Sequence, residues 1–337
     1  MRAVVRYRLD PPPPPGQPRL TDAIGEVVAD TAEEIVLDTR RGLVHIPRPL
    51  VVATKVVPDA RPRRGLPGGG LRALEVHLQV ADAWPAMERA YLGQWLLRAS
   101  RGFTARGNSV VPVGNPGLPQ SEALDAVEEW YAARHLPANV TIAGPVGFEP
   151  AGDPLGRALL DRGYAASDPS LFLTARLADV KAALTAVRAE TAAAQGKAGR
   201  SGTAGRGFVV ETTSELSPGW LAAYDGYRAS DRVALEAILT GTPVRSFAQA
   251  RVGADIVGVG RLGVTGEWGG IAAMWVESAY RRRGVALAML AALVEDAVTA
   301  GVWALHLQVW AHNAAAIAVY ERVGFRRHHA YVNLSRR

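Results

Sequence analysis

Two stretches of this chain read by composition as linkers, and they govern how the rest can fold. Pro58 to Gly70 reads PDARPRRGLPGGG, and Thr191 to Gly207 reads TAAAQGKAGRSGTAGRG. Proline removes an amide donor and glycine is the costliest residue to order, so both runs predict linkers. The consequence is three segments, 1–58, 71–190 and 207–337, rather than one continuous core. With 337 residues, 48% of them hydrophobic, there is apolar material for two or three compact domains.

The first segment reads as five short strands. AVVRYRL, AIGEVVAD, EIVLDT, GLVHIP and VVATKVV alternate or run apolar between turn residues. DTRRG, Asp38 to Gly42, predicts a hairpin turn, and PPPPPGQP, Pro11 to Pro18, a stiff loop between the first two strands. So many short strands suggest a small all-β barrel. The pattern resembles a barrel of the Src-homology-three type.

The middle segment alternates helix and strand signals. LRALEVHLQVADAWP has helix spacing, and GQWLLRA and NSVVPVG predict strands. SEALDAVEEWYAARHL predicts a helix capped by Ser121, NVTIAG a strand, and PLGRALLDRGYA a helix ending at Gly163. The last segment reads as a complete α+β module. GFVVETT is a strand, SPGWLAAYDGYR a helix, and RSFAQARV and IVGVGRLGV a hairpin. The strand GGIAAMWV, a helix from Arg283 to Ala300, the strand WALHLQVW, the helix NAAAIAVYERV and the strand HHAYVNLS follow.

Composition excludes several chemistries. The chain has no cysteine, which removes disulfides, thiolate metal sites and a cysteine nucleophile. The net charge is +6, but only Lys55, Lys181 and Lys197 are lysines, and arginine is spread along the whole chain. That spread reads as codon composition; no block of like charge suits a nucleic-acid tail. MRAVVRYRLDPPPPP has no apolar h-region. The longest apolar run, Val285 to Val294, is about half of the ~20 residues a membrane span needs. A soluble, cytoplasmic protein without a membrane partner is the expectation.

The chemistry concentrates in AYRRRGVALAML, Ala279 to Leu290. Three arginines and a glycine precede an apolar helix-forming run. The first turn of a helix leaves amides unpaired and carries partial positive charge. Glycine lets the backbone approach a bulky anion, and arginine adds forked donors. Arg281 to Ala286 is therefore a candidate phosphate cradle, against the plainer reading of solvated arginines. GVGRLG, Gly258 to Gly263, matches G-x-G-x-x-G but is followed by VTGEWGG, which cannot start a helix. It is read as glycines inside a strand.

RRRGVA fits R-x-x-G-x-A through Arg281, Gly284 and Ala286, and NAAAIAVYERVGF follows with Asn313, Ala316, Tyr320, Gly324 and Phe325. Together the two motifs resemble the GNAT family, the Gcn-type N-acetyltransferases, over about residues 207–337. The resemblance implies a GNAT fold, a mixed central sheet flanked by helices, with acetyl-CoA as cosubstrate and no metal. Arg281, Arg282, Arg283, Gly284, Val285 and Ala286 would hold the pyrophosphate. The strand edge Met274, Trp275 and Val276 would pair with the pantetheine arm, and the amide near Val276 would polarise the thioester carbonyl. Asn313 would bond the cofactor's amide arm, and Ala316 is small where the helix passes it. Tyr320 would protonate the leaving thiolate.

Some members of the family carry a glutamate base where this chain has Gln308, which cannot take a proton at neutral pH. His306 on the same strand face, Glu277 at the end of the preceding strand, and a water chain to bulk are the alternatives. His328 and His329 have no evident metal-ligand partners. The order of elements over 121–164 echoes 284–325, with Leu159 falling where Tyr320 stands and Gly152 where Asn313 stands. The middle segment therefore reads as a degenerate GNAT-like unit that walls the acceptor cleft. The three-part layout also resembles GNAT proteins of an actinobacterial type.

The expected function is acyl-CoA-dependent N-acyl transfer to a primary amine of a small molecule or a protein. The rival is a non-catalytic acyl-CoA sensor or scaffold whose barrel binds a partner. Gln308 favours the rival and Tyr320 the enzyme. Nucleic-acid binding rests on mild basicity alone and ranks last.

Overall fold

The computed structural model describes residues 2–14, 19–39, 42–56, 67–68, 71–197, 207–225 and 231–336. Parts of both linkers, Arg40–Arg41 of the DTRRG turn, the end of the proline run and 226–230 lie outside the described residues. The chain forms two compact units, Met1–Gly65 and Leu66–Arg337.

The first unit is one antiparallel sheet of β1 (Arg2–Arg8), β2 (Leu20–Asp30), β3 (Glu34–Thr39), β4 (Gly42–Pro47) and β5 (Val51–Val56). Its order is β4-β3-β2-β1-β5, so β4 and β5 are edges and the expected barrel is an open half-barrel. Strand alternation turns Val5, Ala23, Ile35, Leu37 and Ile46 to one face, where they form its core.

The second unit begins with α1 (Ala73–Gln79), the hairpin β6 (Glu88–Leu92) and β7 (Trp95–Ala99), α2 (Gln120–Ala132), β8 (Asn139–Gly144) and α3 (Pro154–Asp161). It continues with β9 (Ala165–Ala166), β10 (Ser170–Arg176), α4 (Leu177–Lys197), β11 (Val209–Thr213), α5 (Pro218–Asp225) and α6 (Arg232–Thr240). Then come β12 (Val244–Val252), β13 (Asp255–Thr265), β14 (Trp268–Val276), α7 (Val285–Thr299), β15 (Ala304–Trp310), α8 (Ala314–Arg322) and β16 (Arg326–Ser335).

One sheet runs through the whole unit in the order β11-β12-β13-β14-β15-β10-β16-β8, with β9 beside β16. Only the β14–β15 pair is parallel. β10 sits between β15 and β16, pairing Ser170–Arg176 with Trp310–Ala304 on one side and Ser170–Thr174 with Tyr331–Arg326 on the other. Thus the middle segment lends a strand to the C-terminal module, and β16 returns to pair with β8. The sequence of β10, SLFLTAR, explains its place, since all but its last residue are buried and such a strand needs neighbours on both edges.

α7 carries the main core. Val285, Met289, Leu290, Leu293, Val294 and Ala297 recur at helical spacing and are buried against β12, β13 and α4. Each large side chain so buried contributes about 1.5–3 kcal/mol. GVGRLG lies within β13. A Cβ on Gly258 would stand 3.0 Å from Met289, and one on Gly260 2.5 Å from the Met274 sulfur, so these glycines let α7 and β14 close on the strand.

Some local expectations fail. α2 is capped by Pro119, and Ser121 lies inside the helix, where its Oγ accepts from Arg162 at 2.7 Å. NSVVPVG forms only isolated bridges, Val111 to Leu96 of β7 and Val110 to Val140 of β8, and no strand of its own. α4 runs on to Lys197 and so takes Thr191–Lys197 out of the expected second linker, because its run of alanines carries the helix past Gly196; β6, β10 and α6 carried no expectation.

Candidate active site

The arginine–glycine turn joins β14 to α7. After a short 3-10 turn at Ser278–Tyr280, Gly284 caps α7 in the left-handed conformation, φ +83°, with no side-chain cap. Arg282 is also left-handed at φ +60°. That conformation costs a non-glycine residue roughly 1–2 kcal/mol. Arg281 Nε donates to the Val276 carbonyl at 3.1 Å, and the Arg283 guanidinium lies 5.3 Å from the centre of the Tyr280 ring. Among the described residues, the amides of Arg282, Arg283 and Gly284 donate to no protein acceptor. Those of Val285 and Ala286 open the helix, where no intrahelical acceptor exists. Five consecutive amides at the positive end of the helix thus have no protein acceptor.

β14 and β15 part company just before this turn. They pair only from Trp268–Ile271 to Ala304–Leu307. Beyond that, Ala273 adopts φ +54° and the register against β13 shifts, a bulge that steers β14 away from β15. Glu277 N donates to Val257 O of β13 at 2.9 Å. By strand alternation the backbone of Val276 faces the opposite, open edge.

Between the parted strands lies a cleft of about 210 Å³, lined among others by Met274, Gln308, Asn313, Ala316 and Tyr320. The structure therefore brings these expected residues together. Arg283 and Gly284 instead line a second cleft between α7, α4 and β11. The Trp275 side chain packs into the α5–α6 core and that of Val276 into the main core, so these two present only backbone to the open edge.

Tyr320 is half-buried, its ring 5.8 Å edge-on to Phe325. Desolvation pushes its phenol up to about 12, so it holds its proton at neutral pH. Asn313 caps α8, its Oδ1 accepting from Ala316 N at 3.1 Å, which leaves its NH2 group as a donor. At the place matched to Tyr320 in the middle segment, Leu159 is fully buried and carries no titratable group.

The base candidates fare differently. Gln308 Oε1 accepts from the Tyr331 hydroxyl at 2.7 Å. Glu277 caps the 3-10 turn, accepting from Ser278 N at 2.7 Å and Ser278 Oγ at 2.8 Å, which holds its carboxyl below the usual range. His306 is buried with no partner for either ring nitrogen, and burial followed by the charge of Arg106 pushes it down to about 3. It is a neutral imidazole at pH 7. Among the described residues no three His, Asp or Glu side chains are grouped to hold a metal.

The far wall of the cleft carried no motif. Trp84, Thr104, Arg106 and Ser170 come from the middle segment, Tyr224 from α5 and Tyr331 from β16. Trp84 Nε1 donates to Thr104 Oγ1 at 3.1 Å, and the Arg106 guanidinium lies 4.9 Å from the centre of the Trp84 ring.

Comparisons with known proteins agree with this geometry. Residues 211–325 match the family model described as the acetyltransferase (GNAT) family, and residues 69–157 match "Probable histone acetyltransferase Rv0428c C-terminal". Residues 211–325 therefore form an acetyltransferase domain of the GNAT family. The chain is 37% identical over 136 residues to the probable histone acetyltransferase Rv0428c of Mycobacterium tuberculosis, covering 40% of this chain and 41% of that protein. It is 24% identical over 251 residues to the uncharacterized N-acetyltransferase YobR of Bacillus subtilis, covering 73% of this chain and 91% of that protein. The solved GCN5-related N-acetyltransferase from Kribbella flavida shares its fold with a TM-score of 0.53 at 13% identity, over 78% of this chain and 95% of that one. Among the described residues no helix is long and apolar enough to cross a membrane.

Proposed function

We propose that this chain is an N-acyltransferase that moves an acetyl group from acetyl-CoA to a primary amine of a small molecule or a protein. One observation carries the reading: β14 parts from β15 beside Asn313 and Tyr320 in the cleft, and the same strand leads through the arginine–glycine turn to the uncapped start of α7. The amides of Arg282 to Ala286 would take the pyrophosphate, with Arg281 and Arg283 adding charge. The open edge of Met274–Val276 would pair with the pantetheine arm, and the Val276 amide would polarise the thioester carbonyl. The NH2 of Asn313 would donate to the arm's carbonyl. The neutral amine attacks the carbonyl carbon directly, the C–S bond breaks as the Tyr320 hydroxyl gives its proton to the thiolate, and the proton shed by the attacking nitrogen returns to Tyr320. We take residues 71–190 as a degenerate copy of the same unit that forms the acceptor wall, and 1–58 as a separate barrel-like module.

Two variants test this. Tyr320→Phe is expected to lower kcat by about 10²–10⁴-fold in a thiol-release assay with an amine panel, while coenzyme A binds as before. Gly284→Val should raise the KM for acetyl-CoA about tenfold or more with a smaller change in kcat, because a β-branched residue resists φ +83°. Unchanged kinetics in both would remove the reading. A second reading, a non-catalytic acyl-CoA sensor, is favoured by Gln308, which cannot take a proton. Tight coenzyme A binding by calorimetry without turnover of any amine would select it.

A further inference from the structure

Four of the seven histidines, His77 of α1, His306 of β15, and His328 and His329 of β16, gather around Phe172 of β10. Phe172 stacks on His306 at 5.3 Å and on His329 at 4.8 Å, and His77 Nε2 meets His329 Nε2 at 2.9 Å. Beside this cluster lies a small cavity of about 10 Å³, the space of one water or one monatomic ion. Its polar lining is His77, Arg98, Arg106, His306 and Gln308, and among the described residues no Asp or Glu lines it.

Arg98 of β7 is 3% exposed. Its Nε donates to Ser109 O at 3.0 Å and its Nη2 to Ser109 Oγ at 2.8 Å, both neutral acceptors. Among the described residues no carboxylate stands within ion-pair distance of it. Burial pulls it down to about 10, so it is still a cation at pH 7. A buried charge without a counter-charge is among the costliest groups a fold can hold. Arg106 raises the positive potential further, since its charge disfavours protonation of both Arg98 and His306. Gln308 adds an NH2 donor, because its Oε1 is taken by the Tyr331 hydroxyl. His306 is 3% exposed, and no protein group meets either of its ring nitrogens. Its Nε2 lies 2.7 Å from where a Cβ on Gly270 would stand, so the glycine keeps the space at this nitrogen open. A water would satisfy these donors but leave the charge of Arg98 unbalanced; an anion does both.

We propose that one chloride ion occupies this cavity, held by the Arg98 guanidinium, the NH2 of Gln308 and the Nε2–H of His306, and balances the Arg98 charge. Polyatomic anions are too large for the space. The cavity shares Trp84, Arg106, Ala272 and Gln308 with the main cleft, which is the route by which the ion enters. The chloride and the Tyr331 hydroxyl then hold the Gln308 amide between them. The ligands come from β7 and β15, which only folding brings together, so the unfolded chain offers no such site.

Urea unfolding of the full-length protein tests the site. All eight tryptophans lie in the second unit, so their fluorescence reads that unit alone. At neutral pH, where His306 is uncharged, chloride replaces gluconate at constant ionic strength. Once chloride exceeds its dissociation constant, each tenfold step is expected to raise the folding equilibrium constant about tenfold, the slope for one bound ion. Equal midpoints in chloride and gluconate overturn the proposal. Arg98→Met removes the buried charge and Gly270→Ala fills the space, and each should abolish the slope whatever it does to overall stability. A slope that survives in whichever variant folds puts the ion elsewhere and also overturns the proposal. Wild-type crystals grown in sodium bromide give the position directly, even where neither variant folds. An anomalous peak beside Arg98, His306 and Gln308 is expected, and water density without such a peak overturns the site. Neither measurement involves turnover, so both are decided independently of the acyl chemistry.

Discussion

Stability is expected to fall steeply as pH drops from 6.5 towards 3, and buried histidines set most of that fall. His306 and His329 are held down to about 3 by burial, whereas in the unfolded chain they bind protons below about 6.5. Throughout that window the unfolded state carries more protons, so stability is complete above about 6.5 and declines as pH falls. At pH 5 each histidine removes about 2 kcal/mol, so the two together remove about 4 kcal/mol. That is a large share of the ~5–15 kcal/mol a domain possesses. His77 acts in the same direction. The exposed carboxylates with lowered values, Glu75, Asp231 and Glu277, lose their contribution only at lower pH, as they protonate. Urea midpoints from pH 7.5 to 4.5 measure the slope, and His306→Phe should flatten it. A midpoint that is level down to pH 5 contradicts a neutral histidine cluster.

The fragment 207–337, cut at the glycine-rich linker, is expected to be unfolded when made alone. It contains the acetyltransferase motifs but not β10. Without that strand β15 loses a seven-residue partner, and β16 loses both β10 and β8. Leu171, Leu173, Leu177, Val180 and Leu184 also leave the core shared with α7. At about 1.5–3 kcal/mol each, their removal costs on the order of 10 kcal/mol. Residues 71–190 supplied as a separate chain should restore a dispersed NMR spectrum. A cooperative thermal transition in the lone fragment would show that β10 is dispensable.

The arginine–glycine turn, Asn313 and Tyr320 were readable in the sequence because each depends on local geometry. A left-handed cap wants glycine, a helix start wants a short polar acceptor, and both stand at fixed spacing within one strand–helix unit. The cleft's far wall was not readable in this way. Trp84, Arg106 and Tyr331 face Tyr320 only because β10 slots between β15 and β16, and strand pairing across more than a hundred residues leaves no local mark. The same holds for the histidines. HH on a late strand reads as simple alternation until α1 delivers His77 and β10 delivers Phe172. Ser121 misled for the opposite reason: a good capping residue stood two positions after Pro119, which had already fixed the helix start.

The interleaving of β8, β10 and β16 has a consequence for synthesis on the ribosome. Of the large sheet's inner strands β10 is made first, yet it stays open along both edges until β15 and β16 emerge, from Ala304 onwards. During that interval an apolar strand with unpaired edges is exposed to the cell, a natural target for a holding chaperone. Nascent chains stalled before Ala304 should therefore be sensitive to protease along 170–176, and become resistant only once the closing strands are released.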